Sequence, residues 1–152
     1  VSAINRKNVR DEITAALQAA LTGSGQPVSN VYGYQPGKLD GESPVILVLS
    51  QSTQREIGGI GSQKYHNTFS LELQVLVYDG DQNQDLTEKQ REDKIDEIET
   101  ALADWFAAHQ TGTTYSLAHY APEPSTIVSV NYLDGNPYRI ESITVRLESW
   151  DA

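Results

Sequence analysis

Histidines, clustered carboxylates and a glycine run are the features of this sequence with the chemistry for a site, and their spacing decides whether one forms. His66, His109 and His119 fall in different segments, and no two stand at the i, i+3 or i+4 spacing by which one helix face presents a pair of imidazoles to a metal. His109 reads instead as part of a last helical turn, where a cation suits the helix dipole. Asp79, Asp81 and Asp85 bring oxygen ligands close together, but the glycine and closing glutamate of a calcium-binding loop are missing. Aspartates and Gly80 at that point end a strand and complement the N-terminus of the helix that follows. Gly58-Gly59-Ile60-Gly61 has no GK[ST] after it and opens no helix, so it reads as permissive backbone rather than a phosphate cradle. No serine stands in a G-x-S-x-G context, and the absence of cysteine removes thiol nucleophiles, thiolate metal sites and disulfides. The expectation is a protein that is not an enzyme and holds no cofactor or metal.

Composition narrows the partners. The 152 residues are 38% hydrophobic and 21% charged, which suits one soluble domain spanning residues 1–152, and no apolar run approaches the length that spans a bilayer. With 21 acidic residues against 11 lysines and arginines the net charge is −10, which repels a phosphate backbone. Arg6, Lys7 and Arg10 are the only tight basic group, and they read as the solvated first turn of a helix. Specific nucleic-acid binding is not expected. An acidic surface suits a protein past which DNA slides, and ordinary solubility equally.

The elements that would position a site follow from periodicity. Val9, Ile13, Ala16, Leu17, Ala20 and Leu21 form one helical stripe, with Asn5 or Asn8 as cap and Gly23 as stop. Residues 22–30 read as a loop and 31–35 as a short strand, while the unbroken apolar run 45–49 predicts a strand buried on both faces. Phe69, Leu71, Leu73, Val75 and Val77 alternate with mostly polar residues along the next strand. A second helix begins at a capping box, Thr87 to Gln90, and buries Ile95, Ile98, Leu102, Trp105 and Phe106; its other face, Lys89, Arg91, Glu92, Lys94, Asp96, Glu97 and Glu99, reads as solvated. Residues 126–133 and 138–150 predict a terminal hairpin, and the opposite parity of Ile140 to Ile143, Val145 and Leu147 predicts a bulge near Ser142. The sum is an α+β fold, a largely antiparallel or mixed sheet with both amphipathic helices on one face.

Residues 51–67, between two strands, are longer than a hairpin turn needs and read as a loop carried on a rigid sheet. Arg55, Ile57, Ile60 and Tyr65 supply a charge and apolar anchors suited to an assembly interface.

The order of elements resembles a known family. The helix running from Arg10-Asp11-Glu12-Ile13 to Ala20-Leu21, then Val31-Tyr32-Gly33-Tyr34-Gln35-Pro36 and the strand Ser43-Pro44-Val45-Ile46-Leu47-Val48, are similar to the tail terminator, or tail completion, proteins of long-tailed bacteriophages. The long loop, the second helix and the terminal hairpin extend the likeness over most of the chain. It implies a homo-oligomeric ring, usually of six, that ends tail-tube growth and meets both the tail tube protein and the head-tail connector. It further implies synthesis in the host cytoplasm, a place at the tail-neck junction of the virion, and DNA passing through the lumen without specific binding. Another neck, connector or tail-tube component stays open as an alternative, and, further off, a small-ligand binding domain or hydrolase.

Overall fold

The computed structural model describes residues 4–59, 61, 64–79, 87–112, 115–117, 127–133 and 135–150. Ile60, Asp81, Asp85 and His119 lie outside them. Helix α1, Arg6–Leu21, starts where the Asn5 side chain accepts the Lys7 N–H at 2.8 Å, and buries Val9, Ile13, Leu17 and Leu21 at the spacing the sequence predicts. Strands β1, Asn30–Tyr32, β2, Val45–Ile57, and β3, Tyr65–Tyr78, follow. Helix α2, Glu88–Ala108, opens on the predicted box: Thr87 Oγ1 accepts the Gln90 N–H at 3.2 Å, and Gln90 Oε1 accepts the Thr87 N–H at 2.7 Å. Short β4, Ser116–Leu117, then β5, Ile127–Leu133, and β6, Asn136–Trp150, complete the chain.

One mixed sheet joins the strands in the order β1-β2-β3-β6. Only β1 with β2 is parallel among these pairs; β5 and β4 share the far edge of β6, along residues 136–142 and 147–148. Both helices pack on one face, α1 against β1 and β2 and α2 against β3. Beneath them Val9, Ile13, Leu17, Ile98, Leu102 and Phe106 meet Ile46, Val48, Phe69, Leu71, Leu73, Val75, Ile143, Val145 and Leu147 in one core. This is the α+β fold the sequence predicts.

The described residues also cover the second face of the sheet at one end. Leu39, Val45, Leu47, Leu76, Tyr138 and Ile140 form a smaller cluster there. The Tyr138 hydroxyl donates to the Glu42 carbonyl at 3.2 Å, and burial pushes its phenol up to about 12. Tyr32 donates to the Glu42 carboxylate at 2.7 Å, and that bond, first, raises its own pKa. This cluster removes the reason for a bulge near Ser142. The β3/β6 register is unbroken from the His66–Trp150 pair to the Tyr78–Tyr138 pair, and Ile140 has the other parity because it serves the other core.

One charge assignment also changes. Arg91 is only 6% exposed and belongs to no solvated face: its guanidinium lies 3.1 Å from the Asp79 carboxylate, which Arg139 approaches at 3.4 Å. Arg139 is further bound to Glu92, so Asp79 at the end of β3 ties α2 to β6. On a helical wheel Arg91, four residues before Ile95 and seven before Ile98, falls within the buried stripe, so periodicity itself turns this cation inward, where the Asp79 carboxylate meets it.

Candidate assembly interface

Residues 51–67 are not a long loop. Strand β2 runs on to Ile57 and β3 begins at Tyr65, paired through Ile57–Tyr65, so only residues 58–64 connect them. The result is an arm in which β2, β3 and the end of β6 extend the sheet past its two-sided core. Exposed strands lose the in–out hydrophobic contrast that marks a strand in a sequence, and SQSTQRE accordingly reads as loop.

Arg55, Ile57 and Tyr65 share a face of this arm because of a β-bulge. Ser50 pairs with Leu71 and Ser52 with Ser70, leaving Gln51 as the extra residue. A slip of one position moves every later side chain to the opposite face. Beyond the bulge Thr53, Arg55 and Ile57 therefore line up with Phe69, Asn67 and Tyr65, on the same side as the helices. Ile57 is 66% exposed and Tyr65 37%, an apolar cross-strand pair open to solvent near the arm's tip. The structure thus brings three of the four expected interface residues together, on strands rather than a loop, while Ile60 lies outside the described residues.

Arg55 also anchors the arm to the chain ahead of α1. Its Nη1 donates to Asn67 Oδ1 at 2.6 Å and its Nη2 to the Ile4 carbonyl at 2.9 Å, with the guanidinium 5.6 Å from the centre of the Phe69 ring. Two arginines of α1 reach the same strand from the other side. Arg6 Nη1 donates to Thr53 Oγ1 and Arg10 Nη1 to Ser50 Oγ, both at 2.9 Å. Ile4, Arg6, Lys7, Arg10, Thr53 and Arg55 line an open groove of about 500 Å³ between helix and arm.

The basic cluster is therefore not simply a solvated first turn. Cations at a helix N-terminus oppose the macrodipole, and α1 has no acidic residue in its first turn. Lys7 is met by Asp11, but Arg6 and Arg10 are held against neutral hydroxyls of β2. The signal was present in the sequence as two arginines four apart on one helix face, at the end of the helix that disfavours them. What the sequence could not show was that the strand opposite them exists.

The histidines stand apart. His66 Nε2 lies 3.8 Å from the Glu148 carboxylate, while His109 caps α2 with its ring stacked on Trp105 at 4.4 Å and Nδ1 2.8 Å from the Trp105 carbonyl. Among the described residues no three His, Asp or Glu side chains gather as a metal site would require, and no helix is long and apolar enough to cross a membrane. The chain matches no protein-family model and no curated protein.

Proposed function

We propose that this chain is a structural subunit of a long-tailed bacteriophage, a tail terminator that forms a ring of six, ends tail-tube polymerisation and joins the tail to the head connector. The observation that carries the reading is the arm. It projects beyond the core, and its bulge turns an exposed apolar pair, Ile57 and Tyr65, and the charged Arg55 to one side. Apolar side chains kept in water on a framed strand pair suit a surface that another protein covers. A second exposed pair, Val130 and Tyr132, lies on edge strand β5, giving the subunit distinct surfaces of the kind a head-to-tail ring needs. The order of elements resembles that of the tail terminators, and the net charge of −10 suits a lumen that conducts DNA without holding it.

Electron microscopy of the purified protein, alone and on tails, tests the reading. Short closed rings at the head-proximal end of the tube are expected, together with restoration of normal tail length in a mutant that makes overlong tails. Extended tubes would assign the chain to the tube itself. Persistent monomers with no effect on tail length would contradict assembly altogether.

A further inference from the structure

The groove between α1 and the arm concentrates positive charge that the fold leaves uncompensated. Arg6, Arg10 and Arg55 bind two hydroxyls, an amide oxygen, a backbone carbonyl and an aromatic face, all neutral. Arg10 Nε is buried with no hydrogen-bond partner. Like charges gathered in one groove repel one another, and a carboxylate entering it relieves that repulsion while completing the guanidinium forks.

The matching surface is on α2. Asp93, Asp96 and Glu97 lie at three- and four-residue spacings on its exposed side, with Asp104 about two turns further along. Lys89 meets Asp93 and Lys94 meets Glu97, whereas Asp96 and Asp104 have no cationic partner among the described residues. Arg6 and Arg10 are four residues apart on α1, as Asp93 and Glu97 are on α2, so cations and carboxylates repeat at the same rise of about 6 Å along their helices. A copy of this chain brings its carboxylates already ordered along a helix, at a spacing that suits the arginines.

We propose that the groove lined by Arg6, Arg10 and Arg55 is a subunit contact that receives the acidic stripe of α2 from the next copy of this chain. Groove and stripe are different surfaces, so the contact is heterologous and propagates from copy to copy until it closes. The inference rests on the ring reading and specifies which faces meet.

Two charge reversals test it, Arg10→Glu and Asp96→Arg, each prepared separately and checked by thermal melting. Assembly is measured by sedimentation, and the parent protein must first form rings, free or on tails. If it forms none, the ring reading fails and this contact fails with it. Given parent rings, each variant alone is expected to need at least about tenfold more protein to assemble, because like charges then face each other. An equimolar mixture should recover, since the acidic groove of one variant accepts the basic stripe of the other and the two alternate around the ring. Misfolding does not produce such a rescue. If Arg10→Glu melts early, Arg55→Glu on the arm takes its place in the same mixing. Variants that assemble like the parent, or folded variants that mixing does not restore, would overturn the contact. So would salt-sensitive binding of duplex DNA that Arg10→Glu abolishes while rings persist, which would assign the groove to phosphate.

Discussion

Strand β2 passes through two environments in thirteen residues. Its first half, Val45 to Val48, is fully buried, with Ile46 and Val48 under the helices and Val45 and Leu47 in the smaller cluster behind the sheet. After the bulge at Gln51 it carries Thr53, Arg55 and Ile57 along an arm behind which the described residues form no second core. The first half is held by burial. The second is held by its ladder to β3 and by three arginines that tie it to α1 and the residue ahead of it. A single strand thus joins a region built for stability to one built to present side chains, and substitutions in the two halves should separate folding from assembly.

The largest effect is expected from Leu47→Ala, which empties a side chain with no exposed surface and should cost about 2–5 kcal/mol, read by urea unfolding. Ile57→Ala, ten residues on, should stay within about 0.5 kcal/mol. Similar losses at both positions would erase the distinction. The core end should also weaken in alkali. Tyr138 and Tyr115, both buried, have phenols raised from 10.0 to about 12, each by burial foremost. In the unfolded chain these phenols ionise first, so the stability they contribute is complete below pH 10 and is lost as pH rises towards 12. For Tyr138 the loss should be on the order of 2 kcal/mol, and Tyr138→Phe should flatten that part of the stability profile. A profile unchanged by Tyr138→Phe would contradict the burial assigned to its hydroxyl.

Deleting Gln51 sharpens the comparison further. Without the extra residue the arm half of β2 should shift by one position, turning Arg55 and Ile57 away from the helices and breaking the bonds from Arg55 to Asn67 and Ile4. Melting should fall by only about 1 kcal/mol equivalent, the scale of a few exposed polar bonds, while assembly is lost. Loss of folding would place the bulge within the cooperative core instead.

What the sequence conveyed follows the same division. Both helices, their caps and the buried halves of β2 and β3 were legible because one face of each differs in burial from the other, or, in residues 45–48, because both faces are apolar. The arm was not, because solvent on its exposed side imposes no alternation and Gly58, Gly59 and Gly61 read as loop. Ile140 was misread for the complementary reason: periodicity assumes one core, and here its residue belongs to a second. Arg55, Ile57 and Tyr65 were found by type, as a charge and apolar anchors in a segment with no evident core role. Arg6 and Arg10 read in the sequence as a solvated first turn because their partners, Thr53 and Ser50, are brought near by tertiary pairing alone.

The most direct test of the arm as an assembly surface is the double variant Ile57→Ser with Tyr65→Ser, followed by melting temperature and tail length in the same preparation. Both side chains are exposed, so melting should match the parent within about 0.5 kcal/mol, while tails should grow beyond their normal length for want of a terminating ring. A variant that melts like the parent and still yields tails of normal length would contradict the role assigned to the arm.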